Sequence, residues 1–110
     1  MDDRELLEMA AKAAAIGGGW GDKIEYHNGA VDLRDVWILE GDGFVPWNPL
    51  TDDGDALRLA VKLRIGILQC QEGVDAVMPG GRRIEGWGGN REEATRRAIV
   101  RAAAEIGRAM

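Results

Sequence analysis

Glycine placement is the strongest constraint on how this chain can fold. Sixteen of the 110 residues are glycine, and many stand in clusters: Gly17-Gly18-Gly19, Gly41 and Gly43, Gly80-Gly81, and Gly88-Gly89. Glycine weakens helix and strand interiors and is favoured where the backbone turns or enters the left-handed region. The clusters therefore cut the chain into short segments. Only three of those segments carry a helical pattern.

The first helix is expected over residues 2–15. Leu6, Leu7, Ala10, Ala13 and Ala14 fall on one face at helical spacing. Asp2 or Asp3 caps its start, where a carboxylate also meets the positive end of the helix dipole. The glycine triplet at 17–19 is expected to end it. The second helix follows the most distinctive stretch of the chain, Pro46-Trp47-Asn48-Pro49-Leu50-Thr51-Asp52-Asp53-Gly54-Asp55. Its two prolines require extended or turn backbone. Thr51 or Asp52 is the candidate N-cap, and the helix should run to about Arg64. Ala56, Leu59, Ala60 and Leu63 form its apolar face, and Asp55, Arg58 and Lys62 a polar one. The third helix starts after Asn90, which forms a capping-box-like pair with Glu93. Thr95, Ala98, Ile99, Ala102, Ile106 and Ala109 line one face. Most are small, so this helix can lie close against a sheet.

The remaining segments read as strands. Ile24 and Tyr26 alternate with charged neighbours, and Asn28-Gly29 is a hairpin signal. Residues 36–39 form a second strand-length apolar run, followed by the turn Gly41-Asp42-Gly43. Residues 65–72 are apolar enough for a buried strand. Residues 74–78 are its expected partner after a turn at Gly73. Pro79-Gly80-Gly81 makes another turn, and residues 82–87 a further strand. The order is α-β-β-α-β-β-(β)-α. That is an α+β fold, with a mostly antiparallel sheet packed with three helices in a single domain over 1–110.

The net charge is −5 and the isoelectric point about 4.8, which disfavours a nucleic-acid partner. Residues 1–55 carry four Lys/Arg and 13 Asp/Glu, a net −9; residues 56–110 carry ten and six, a net +4. Cys70 is the single cysteine, so no internal disulfide forms. Its apolar surroundings mark it as a small buried hydrophobe rather than a nucleophile. No apolar run approaches the roughly 20 residues of a membrane span, and the start Met-Asp-Asp-Arg-Glu is not a leader. A cytoplasmic location is expected.

Catalytic signals are sparse. The chain has no serine, and His27 is its only histidine. A nucleophilic triad or a two-histidine metal site therefore has no partners to use. Glu25 or Asp35 would be needed for acid–base work at His27. Asp52, Asp53 and Asp55 lack the spacing of a calcium loop and fit helix capping better. No cofactor or metal is expected. Gly86-Trp87-Gly88-Gly89-Asn90 precedes a helix, where backbone N–H groups can hold phosphate, yet it lacks the lysine of a phosphate-binding loop. Glu92–Arg96, Glu93–Arg97 and Arg101–Glu105 are i,i+4 pairs that compensate one another. Arg82, Arg83 and Arg91 have no obvious partners in sequence. Trp37 reads as core, whereas Trp20, Trp47 and Trp87 adjoin glycine or proline and are candidate turn pins or anchors. The candidate ligand-binding set is Trp47, Asn48, Arg82, Arg83, Trp87, Asn90 and Arg91.

Residues 47–60, from Trp47-Asn48-Pro49 into Arg58-Leu59-Ala60, and residues 91–103, Arg91-Glu92-Glu93-Ala94-Thr95-Arg96-Arg97 into Ala102-Ala103, resemble small bacteriophage proteins carrying the phage ABA sandwich domain. The resemblance covers about a third of the chain in two pieces. It implies a phage or prophage origin and an α-β-α layered fold, and it assigns no functional residue. The function expected on these grounds is a phage-type accessory protein without catalysis. It would bind and neutralise a host defence protein, or sequester a small phosphate-bearing, nucleotide-like ligand, as a possible homodimer. The alternatives are a small nucleotide or phosphoester enzyme using Asp52, Asp53 or His27, and a virion structural or assembly protein.

Overall fold

A computed structural model of the chain describes residues 1–21, 36–40 and 45–110. The elements are α1 (Asp3–Ala13), β1 (Gly19–Trp20), β2 (Trp37–Ile38), β3 (Pro46–Trp47), α2 (Asp53–Leu63), β4 (Gly66–Cys70), β5 (Gly73–Val77), β6 (Arg83–Gly86) and α3 (Arg91–Arg108). The α+β class stands. Among the described residues the strands form two three-stranded antiparallel sheets, β1-β2-β3 and β4-β5-β6, rather than one. The expected features at Ile24, Tyr26, His27, Asn28-Gly29 and Gly41-Asp42-Gly43 lie outside the described residues.

All three helix starts fall where capping chemistry puts them. Asp2, Asp52 and Asn90 each accept a hydrogen bond from the backbone N–H three residues on, at 2.8 Å. Such a cap stabilises a helix by about 1 kcal/mol. At α3 the return arm of the capping box is displaced by one residue: Glu93 Oε2 accepts from Gly89 N–H at 3.1 Å. The helix ends do not follow the glycine rule. Ala15 (φ 52°) and Arg64 (φ 57°) take the left-handed conformation after α1 and α2. The glycine triplet instead permits close chain crossing, since a Cβ at Gly18 (φ 107°) would overlap the Ile38 carbonyl.

α3 is the central element. β5 and β6 pack on one side of it, and α1 and α2 pack against it as well. Among the described residues the buried core is apolar. Ala10, Ala11 and Ala14 of the first helical region meet Ala98, Ile99, Val100, Ala102 and Ala103 of α3 in one buried cluster with Leu59 and Ile84. The small side chains let backbones approach. A Cβ at Gly107 would overlap the Met9 carbonyl of α1, and one at Gly86 would overlap the Ala94 carbonyl of α3.

The strand expected over 65–72 spans Gly66–Cys70 and is exposed rather than buried, while Ile65 just before it is buried. In β4, Gly66, Ile67, Gln69 and Cys70 are exposed and only Leu68 is half-buried. The reason is lateral position: α3 covers β5 and β6, and β4 is an edge strand. Cys70 is therefore an exposed thiol, not a buried hydrophobe.

Gly107 lies in the last turn of α3, where alanine is intrinsically favoured by up to about 1 kcal/mol. The added methyl, however, meets backbone, which cannot rotate away, and overpacking costs about 1–3 kcal/mol. Overlap should win. Gly107→Ala is expected to lower stability by about 1–2 kcal/mol in urea unfolding. An unchanged or raised midpoint would mean that α1 and α3 can separate without loss.

Candidate functional site

The tryptophans divide into two groups. Trp20, Trp37 and Trp47 stand one on each strand of the small sheet. The register pairs Trp20 with Trp37 and Trp37 with Trp47. Their rings meet edge to face, with centroids 5.4 and 6.4 Å apart. Such pairs add about 0.5–1.5 kcal/mol each beyond area burial. Trp47 is 4% exposed. Trp20 Nε1 donates to Glu8 at 2.7 Å and lies under Arg4 at 4.3 Å, while Trp37 Nε1 donates to the Gly17 carbonyl at 3.3 Å. These three rings hold the small sheet on α1. Trp37 is half-buried rather than fully core.

Trp87 is different. It is 63% exposed and follows β6 in the glycine-rich turn that leads to α3. Arg101 of α3 holds it in place. Its guanidinium lies 4.7 Å from the ring centroid and donates through Nη1 to the Glu85 carbonyl. One face of the indole thus carries a cation that also satisfies backbone at the β6 edge.

Trp87 stands between two open grooves. One, of about 320 Å³, is lined by Cys70, Glu72, Asp75, Glu85 and Trp87. Asp75 and Glu85 are directly opposed in the β5–β6 register, so two acidic residues are cross-strand neighbours. Like charges in that relation destabilise the sheet unless a cation joins them. The other groove, of about 430 Å³, is lined by Glu72, Trp87, Gly88, Asn90 and Arg91.

The candidate residues do not converge on one point. Trp87, Asn90 and Arg91 share the second groove. Arg82 reaches Glu105 at 3.6 Å, near the far end of α3, about 20 Å along the helix from Arg91 at 1.5 Å per residue. Arg83 is exposed and pairs in register with Val77. Trp47 is buried, and Asn48 is a turn residue: its Oδ1 accepts from Leu50 N–H at 3.0 Å, and its own N–H donates to Asp55 at 3.0 Å.

The arginines have found tertiary partners that sequence spacing did not reveal. Arg96 donates to the Leu50 carbonyl at 2.9 Å and to Asp53 at 2.7 Å. Arg97 makes two hydrogen bonds to Asp3, and that carboxylate pushes the guanidinium pKa up. The expected i,i+4 partners are thus not the ones these residues use, although Glu93 still adds to the field at Arg97. Arg91 donates to the Gln71 and Gly73 carbonyls at 3.4 and 3.5 Å, clasping the β4–β5 turn. The acidic half and the basic half of the sequence are therefore interleaved in space. Asp52, Asp53 and Asp55 are likewise engaged, as cap, as partner of Arg96, and as acceptor from Arg58 and Asn48. Among the described residues no group of three His, Cys, Asp or Glu is placed to hold a metal ion. No helix among them is long and apolar enough to cross a membrane.

Sequence reasoning missed the acidic side of Trp87. Glu85 is distant in sequence from Asp75, and the β5–β6 register sets the two opposite each other, while Glu72 of the β4–β5 turn lines the same groove. The α3 N-terminus is also less open to an anion than the glycine-rich turn suggests, because Asn90 and Glu93 already occupy it and Glu92 adds a further negative charge.

Arg101→Ala should remove both the backbone hydrogen bond and the support of the indole. A loss of about 1–2 kcal/mol is expected in denaturant unfolding, with the Trp87 ring becoming more mobile by fluorescence anisotropy. Unchanged anisotropy would show that the turn alone fixes the ring. No protein-family model, curated protein or solved structure matches this chain.

Proposed function

We propose that this chain is a non-catalytic binding protein of phage type that engages a basic surface of a host protein through Trp87 and the carboxylates beside it. One observation carries the reading: the single tryptophan left exposed is braced from behind and borders Glu72, Asp75 and Glu85. A flat aromatic face with fixed carboxylates next to it suits an arginine or lysine side chain. It combines cation–π attraction with charge-assisted hydrogen bonds. Tryptophan is also among the residues that dominate interface energetics. The phage and host terms rest on the resemblance of residues 47–60 and 91–103.

The nucleotide-sequestering reading has less to draw on. A phosphate at the start of α3 would compete with Glu92 and Glu93, and Arg91 already serves the turn carbonyls. The enzyme reading would need Asp52 or Asp53 released from helix start and salt bridge, or His27, which lies outside the described residues.

Titration with an arginine-rich peptide and, separately, with a panel of nucleotides tests this. The peptide should bind in a salt-sensitive manner, and Trp87→Ala should weaken it by about tenfold or more, as loss of a desolvated cation–π contact implies. Nucleotides should leave the fluorescence unchanged. Binding of a nucleotide that Arg91→Ala abolishes would instead establish the sequestering function. Binding of neither probe would remove Trp87 as the recognition element.

A further inference from the structure

We propose that the outer edge of β4 pairs antiparallel with the same strand of a second copy, joining two three-stranded sheets into one of six strands. β4 is the edge of its sheet, and no described strand lies beyond it. Edge strands in soluble proteins are normally blunted by charge, proline or a bulge. β4 reads Gly66-Ile67-Leu68-Gln69-Cys70, with neither charge nor proline, so nothing in it opposes pairing with itself.

The flanks favour the same occupant. α2 carries Leu57 and Val61 one turn apart, 60% and 70% exposed, and Ile67 of β4 is 40% exposed. Leu57 and Ile67 line one groove of about 360 Å³ between α2, β4 and α3. An apolar stripe thus runs beside the open edge, where a second copy would cover it.

Charge complementarity selects the antiparallel orientation. In a two-fold pairing the two copies present the same strand to each other. With the axis at Leu68, the middle of the strand, Ile67 lies opposite the partner's Gln69 and Gly66 opposite the partner's Cys70. Arg64, left-handed at the end of α2, and Glu72, in the β4–β5 turn, are both exposed and flank β4. Antiparallel pairing brings Arg64 of each copy to the end of the strand where the partner's Glu72 stands. One uncharged strand with a cation at one end and an anion at the other is self-complementary only when antiparallel. Cys70 and Glu72 also line the groove beside Trp87, so this edge adjoins the surface argued above, and Trp87→Ala separates the two proposals.

Sedimentation equilibrium over a wide concentration range tests it. The wild-type chain should approach twice its 11.9 kDa mass. Arg64→Glu and Glu72→Arg should each weaken association by about tenfold or more, and the combined charge swap should restore it. Both single variants keep a non-glycine residue at the same backbone conformation, and circular dichroism verifies folding. The double variant Leu68→Cys with Cys70→Ala should cross-link under mild oxidation, because the two introduced sulfurs would meet at the axis. Trp87→Ala should leave association unchanged. A monomer at every concentration overturns the proposal. So does a dimer that the single charge reversals leave intact, that the swap fails to restore, or that the Leu68→Cys variant fails to cross-link.

Discussion

The close approach of α3 to its neighbours is the constraint on which the rest of the structure depends. Gly107 lets the end of α3 touch the backbone of α1, and Gly86 lets β6 lie on the start of α3. Alanines fill the remaining contact surface. A domain of this size buries a modest share of its surface, and small side chains reduce the apolar area gained per residue. What they provide is short distance, so that many backbone and side-chain atoms are in van der Waals contact. Among the described residues no polar or charged one is buried, and specificity must come from shape and from polar contacts around the core.

Those contacts are supplied by arginine. Arg96 ties the turn before α2 to α3, Arg97 ties the start of α1 to it, and Arg91 and Arg101 reach the β4–β5 turn and the β6 edge. Each anchors a loop or helix end to the central helix through the fork of guanidinium donors. Several of these bonds end on backbone carbonyls, where the gain does not depend on a second flexible side chain. The same residues, seen only as charges in the sequence, suggest a basic patch. In the fold they are distributed over different elements and mostly engaged.

The division among tryptophans follows from the same economy. Three indoles on adjacent short strands make a sheet that two-residue strands alone would not hold, since isolated short strands are marginal in water. Trp87 falls beyond the last strand, where Arg101 of α3 meets one face of the ring and the indole stays largely exposed. Its exposure and the acidic groove beside it are consequences of position, and they leave this ring as the anchor available to a partner.

The helix starts, their capping residues, the apolar faces and the hairpin over 66–77 were determined by the sequence itself, because they rest on local physics. A cap acts over three residues, a helical face repeats within four, and a turn is completed by its own residues. The helix ends were less legible, because Ala15 and Arg64 take a conformation usually given to glycine while nearby glycines serve close approach. Only the tertiary structure decided that β4 is an open edge, that Cys70 is exposed, that Trp47 is buried while Trp87 is not, and that Arg82 and Arg91 lie far apart. Each of those depends on which element packs beside which, over separations of tens of residues. An apolar run or an arginine reads the same in sequence whether a neighbour covers it or water does.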